Sequence, residues 1–253
     1  MVFTYALLSV FAVSLASFVG VFTLLLTPRF LSRIVFVLVS FSVGVLFGDV
    51  FIHIIPEVFE VISATSASVL IFTGFISFFV LEKFVHWRHT HSVDAEDCDD
   101  HEGAHHTALR SVILTADGFH NFIDGIIITS SYMVSVPLGI ATTLAVLLHE
   151  LPQEIGDFGI LLHSGLSRVK ALLFNFISAL CAFLGIFVAY ALQNSLVDFS
   201  TLCLAFAAGG FIYIAGSDLV PELHKTSNIK HSLVQLFAIV LGFALMFLLS
   251  FFE

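Results

Sequence analysis

The chain has 253 residues, of which 58% are hydrophobic and 11% charged. Soluble domains carry about 25% charged residues, so this composition excludes an ordinary soluble protein and implies a polytopic membrane protein. The net charge of −10 comes largely from one loop and from acids inside apolar runs; it says little about partners, and nothing suggests nucleic acid. Three cysteines, Cys98, Cys181 and Cys203, make no disulfide framework.

Eight apolar runs are long enough to span a bilayer, which takes about 20 residues of helix. They cover 2–27, 33–59, 61–83, 108–133, 137–165, 169–192, 199–222 and 232–252. The first 27 residues contain no Lys or Arg. A secretory signal needs a positive n-region, so this stretch is read as a first transmembrane helix. The positive residues Arg29, Arg33, Lys83, Arg88, Arg110, Arg168, Lys170, Lys225 and Lys230 all fall in connections 1–2, 3–4, 5–6 or 7–8. The positive-inside rule places those connections in the cytosol and both termini on the other side.

Helix 2 carries Asp49, His53 and Glu57 at successive i+4 steps and ends in Pro56-Glu57. Helix 7 ends Asp218-Leu219-Val220-Pro221-Glu222, and glycines precede both motifs. The two helices run in opposite directions, which suggests an inverted repeat of helices 1–3 against 6–8, with 4 and 5 between them. Transporters are often built this way, with the site near the midplane. The expected fold is therefore an all-α, eight-transmembrane-helix bundle in a 3+2+3 inverted-repeat arrangement. It forms one domain over 1–253.

The segment 86–106 is the one sizeable hydrophilic stretch. It carries His86, His89, His91, His101, His105 and His106 and an acidic run from Asp94 to Asp100. His-rich tracts can capture metal, while acidity alone would give a solvated connector. Both readings stand at this point.

Helix 4 contains His120-Asn121-Phe122-Ile123-Asp124-Gly125. With His120 at zero on a helical wheel, Asp124 falls near about 40°, Asp117 near about 60° and Asn121 near about 100°. Helix 5 contains His149-Glu150-Leu151-Pro152-Gln153-Glu154-Ile155-Gly156-Asp157. From His149, Gln153 lies near about 40°, Asp157 near about 80°, Glu150 near about 100° and Glu154 near about 140°. An acid at the centre of a membrane helix costs about 2.5–3.5 kcal/mol on insertion scales. Such faces are tolerated against protein, water or a bound cation, and imidazole with carboxylates and amides suits a divalent metal. The candidate metal ligands are His120, Asn121, Asp124, His149, Glu150 and Gln153. Glu154 points furthest from this face and is expected to stand behind the ligands, holding either His149 or a lysine-free water path. Asp117, Asp157, His163, Asp218 and Glu222 sit toward the cytosolic helix ends and are assigned to an exit path. Asp49, His53 and Glu57 are assigned to the entrance. Pro152 frees the carbonyl of Leu148, which is expected to face the site.

The two motifs resemble the signature of the ZIP (Zrt/Irt-like protein) family of metal transporters, in its branch with HNFxDG and HExPHEIGDF. This chain departs at Gln153, where the branch has a second His. The resemblance implies a non-enzymatic transporter moving divalent cations into the cytosol from outside the cell or from an organelle lumen. Zn²⁺ is the implied cargo, with Mn²⁺, Fe²⁺ or Cd²⁺ also in the family's range. It further implies a multi-pass protein of the plasma membrane or of ER or Golgi membranes, in contact with lipid, and allows a homodimer. Two alternatives stay open: an intramembrane zinc metalloprotease, because His149 to Gln153 overlays HExxH without its second His, and a non-transporting metal sensor.

Overall fold

The computed structural model describes residues 2–91, 102–194, 198–225 and 228–252, with the side chains of 28, 84–91, 102–109 and 111–112 left out. The described residues form eight long helices: α1 (Val2–Thr23), α2 (Arg29–Val61), α3 (Ala64–His91), α4 (Glu102–Val134), α5 (Val136–His163), α6 (Arg168–Leu192), α7 (Phe199–Leu223) and α8 (Ile229–Phe252). These follow the expected runs, with two shifts. The backbone of α3 continues to His91 and α4 begins at Glu102, inside the stretch expected to be loop. The side chains of the six loop histidines lie outside the described residues, and so does the expected metal capture there.

Local chemistry fixes the helix ends. Ser135 caps α5 by accepting from Leu138 N at 3.2 Å, with Pro137 in the first turn. Asn228 caps α8 by accepting from Lys230 N at 3.0 Å. The end of α5 is closed by Gly165 at φ +88°, with Leu166 N bonded to Leu161 O and Gly165 N to Leu162 O.

Among the described residues, six of the eight helices, all but α4 and α5, are long and apolar enough to cross a membrane. The acids, amides and imidazoles of α4 and α5 lower their mean hydropathy. Large apolar side chains such as Phe72, Leu184, Phe237 and Phe251 are exposed around the outside. In water such a surface would be an aggregation hazard; on a multi-pass integral membrane protein it faces lipid. The most buried of the six are α2 and α7.

Close helix pairs frame this centre. A Cβ on Gly44 of α2 would collide with Ile239 O of α8, and one on Gly242 of α8 with Phe41 O of α2. Likewise a Cβ on Gly209 of α7 would strike Ile71 O of α3, and one on Gly74 of α3 would strike Phe206 O of α7. Only hydrogen fits at these backbone-to-backbone crossings. Both α2 and α7 widen into one π-helical turn, Asp49–Ile54 and Ile214–Leu219, two residues before Pro56 and Pro221. Such turns mark places where the regular ladder is interrupted.

Pro152 sits inside α5 without ending it. The Leu148 carbonyl that it releases does not face the polar cluster as expected. Ser42 Oγ of α2 lies 2.6 Å from Leu148 O and 2.8 Å from Leu38 O. A freed buried carbonyl needs a donor, and α2 supplies it.

Candidate metal centre

The middle of α4 lies against the middle of α5, where His149 is the fourteenth of 28 residues. Four side-chain atoms converge there. His120 Nε2 is 3.2 Å from His149 Nε2, 3.2 Å from Glu150 Oε1 and 3.5 Å from Asp124 Oδ2. His149 Nε2 is 3.8 Å from Asp124 Oδ2 and 3.7 Å from Glu150 Oε1. All four atoms fall within 4.8 Å of one another. Tetrahedral Zn²⁺ with bonds of about 2.0–2.1 Å sets its ligands about 3.3–3.4 Å apart, close to these separations.

The protonation pattern agrees with a cation-binding role. His149 Nδ1 is 3.0 Å from the carbonyl of Ala145. A carbonyl only accepts, so Nδ1 carries the hydrogen and Nε2 of the neutral ring turns its lone pair to the cluster. Asp124 Oδ1 and Oδ2 and Glu150 Oε1 are buried and, apart from one another and the two histidine nitrogens, meet no hydrogen-bond partner among the described residues. Buried acceptors left so are uncommon and call for a partner.

A second group, Asp117, Glu150 and Glu154, also brings one oxygen each within 4.8 Å. Asp117 therefore lies beside Glu150 as well as on the wall of the adjoining cavity, and its Oδ1 accepts from Asn121 Nδ2 at 2.8 Å. Glu154 Oε2 accepts from Asn175 of α6. Buried Asn121 keeps its own Oδ1 without a hydrogen-bond partner.

A cavity of about 550 Å³ adjoins the cluster. His120, His149 and Gln153 line it, together with Asp117, Asp157, Asp218 and Glu222, and among the described residues its lining contains no Lys or Arg. Gln153 is half-buried on this wall. His163, exposed at the end of α5, is not part of the lining. Asp49 and His53 are buried in α2 and belong to neither group, and His53 Nε2 donates to Met246 O at 3.0 Å. Glu57 is half-buried one turn further along.

Several contributors escape a reading of the sequence. Glu82 of α3 lines the cavity and accepts from Tyr213 Oη of α7. Asn175 and Ser178 belong to α6, whose apolar run shows only their i, i+3 spacing as a signal. At the same end of the bundle Arg110 ties α4 to the end of α5 through Ser164 Oγ, at 3.0 Å.

Fold and cluster together define a multi-pass membrane protein with a His and carboxylate site suited to a divalent cation. The sequence matches the profile described as ZIP Zinc transporter over residues 2–111 and 88–250. The zinc transporter YKE4 of Saccharomyces cerevisiae is 34% identical over 242 residues, covering 84% of this chain and 70% of the yeast protein. The zinc transporter ZIP13 of Mus musculus is 32% identical over 251 residues, covering 85% and 70%. The metal cation symporter ZIP14 of Xenopus tropicalis is 40% identical over 153 residues, covering 57% and 33%. This chain belongs to the ZIP family, whose members are transporters and not enzymes. It spans about a third or less of several relatives, among them 31% of the Caenorhabditis elegans zinc transporter zipt-7.2.

The protease pattern lacks its geometry here. Position 153 is Gln, the second imidazole comes from α4, and Glu150 is itself within the cluster. The Glu of HExxH must instead stand free as a base beside a two-His site.

Proposed function

We propose that this protein carries divalent metal cations, zinc first, into the cytosol through a site between α4 and α5 near the membrane midplane. The observation that carries this reading is the set of four donor atoms from His120, Asp124, His149 and Glu150, two imidazole nitrogens and two carboxylate oxygens all within 4.8 Å of one another. Asn121 and Gln153 complete the ligand set as amide oxygens. Zn²⁺ is the cargo in the names of the yeast and mouse relatives, and the nitrogen ligands favour it. Mn²⁺, Fe²⁺ and Cd²⁺ are the alternatives that Gln153 keeps in range.

The path follows the acids. Asp49, His53 and Glu57 serve the entrance, while Asp117, Asp157, Asp218, Glu222 and, at its outer end, His163 serve the exit. The acid-lined cavity supports this order, since it extends from the cluster toward the helix ends next to the Lys- and Arg-bearing connections. Those connections are cytosolic and both termini extracytosolic, in the plasma membrane or an endomembrane. The histidine-bearing segment 86–106 captures metal on the cytosolic side.

The chain forms a single transporter domain over 1–253, belongs to the HNFxDG and HExPHEIGDF branch, and works as a homodimer. A 3+2+3 inverted repeat is supported by matched packing. Phe41 and Phe206, Gly44 and Gly209, Pro56 and Pro221, and Glu57 and Glu222 share one sequence offset. Gly44 meets α8 as Gly209 meets α3, through a carbonyl and the amide nitrogen four residues on.

Uptake into proteoliposomes holding purified protein, with Zn²⁺, Mn²⁺, Fe²⁺ and Cd²⁺ offered separately, tests the proposal. Saturable zinc uptake is expected. Metal binding without flux would identify a sensor, and cleavage of membrane peptides without flux a protease.

A further inference from the structure

α6 supplies no member of either ligand group, yet it buries two polar side chains, Asn175 and Ser178. Ser178 Oγ donates to Asp117 Oδ2. The same Asp117 accepts at Oδ1 from Asn121 Nδ2, 2.8 Å away, and the Asp117 carbonyl lies 3.1 Å from that nitrogen. Both acceptors lack hydrogen, so the amide of Asn121 can present only its NH₂ to them. Its Oδ1 is thereby turned the other way, buried and without a hydrogen-bond partner. Asn175 does for α5 what Ser178 does for α4. Its Nδ2 donates to Glu154 Oε2, with Ser17 O of α1 at 3.5 Å.

We infer that Asn175 and Ser178 are positioning residues. From α6 they hold Glu154 directly and Asn121 through Asp117, so that the oxygens bordering the His120–His149 cluster are set in place before a cation arrives. The ligand served is a divalent cation, and the inference rests on the transport reading above. Partners that orient metal ligands are worth about 10–100-fold in metal affinity, because each ligand they release must be ordered again on binding.

Ser178 suits a clean test. Its Oγ also lies 2.9 Å from Asn175 O and 3.2 Å from Phe174 O, both on its own helix. Replacing Ser178 by Ala therefore removes a donor from Asp117 while the α6 carbonyls keep their helical partners.

Zinc uptake kinetics in proteoliposomes would be measured for wild type, Ser178→Ala, Ser178→Thr and Asn175→Ala. The melting temperature of each purified protein would be taken with and without zinc. Ser178→Ala and Asn175→Ala should raise the apparent KM for zinc about tenfold or more with Vmax unchanged, and should shrink the zinc-induced rise in melting temperature. Ser178→Thr, which keeps the hydroxyl, should restore both. If Asn175→Ala does not fold, the Ser178 pair decides. The inference is overturned if Ser178→Ala keeps the wild-type KM and zinc shift, or lowers only the metal-free melting temperature. Absence of flux in the wild type would strike the transport reading instead, and the zinc-induced shift would still test the brace.

Discussion

His120 of α4 and His149 of α5 face each other through their Nε2 atoms at 3.2 Å. Two neutral imidazoles so arranged point lone pairs at one spot unless one ring donates to the other. Asp124 and Glu150 add oxygens 3.2–3.8 Å from those nitrogens. A divalent cation set between them would satisfy all four groups at once.

Proton competition follows from that ligand set. Binding requires neutral imidazoles and ionised carboxylates, so a cation displaces protons from the empty site. Lower pH on the metal-entry side therefore opposes capture. The apparent KM for zinc should rise by up to about tenfold per pH unit for each proton displaced, across the pH 5–8 range where an ordinary His changes charge. Zinc uptake titrations at pH 5.5, 6.5 and 7.5 on the entry side would show it. A constant KM would mean that the groups binding the metal do not exchange protons for it.

Packing at the helix crossings gives a prediction about stability. Gly209→Ala puts a methyl group into the α3 backbone at Ile71 O, and Gly44→Ala does the same at Ile239 O. Each should destabilise by about 1–3 kcal/mol, the usual cost of overpacking. Gly159, with nothing near its Cβ position, is the control. Gly159→Ala should be neutral or stabilising by up to about 1 kcal/mol, from helix propensity alone. Thermal unfolding in detergent ranks the three; equal melting temperatures would mean that the two crossings are looser than described.

Gln153 offers a handle on selectivity. It lies on the cavity wall beside His120 and His149, where an imidazole would replace a weak amide oxygen. Zn²⁺ gains more than Mn²⁺ from a nitrogen ligand, since Mn²⁺ stands lowest in the affinity order. Gln153→His should raise the ratio of zinc to manganese uptake at matched protein levels. The ratio is the readout because tighter binding also slows release. An unchanged ratio would remove position 153 from the ligand set.

Much of this was legible in the sequence because it rests on period and hydropathy. Helical phase put His120 with Asp124 and His149 with Gln153 on common faces, and the apolar runs marked all eight helices. What escaped depends on contacts between distant segments. Glu154 lies about 140° from His149 on the wheel, and only the position of α6 shows that it turns to Asn175. Ser42 gave no sign that it would serve the carbonyl freed by Pro152, because the two are joined by tertiary packing alone. The place of Asp117 on α4 gave no sign that its partners on α6 and α4 hold it beside Glu150.

The central claim is that His120, Asp124, His149 and Glu150 hold the transported cation. The most direct measurement is zinc flux into proteoliposomes for wild type, His120→Ala and Asp124→Ala, each confirmed as folded and inserted. The account predicts saturable flux for the wild type and loss of flux in both variants. Normal flux in either variant would contradict it and move the cation's path away from the contact between α4 and α5.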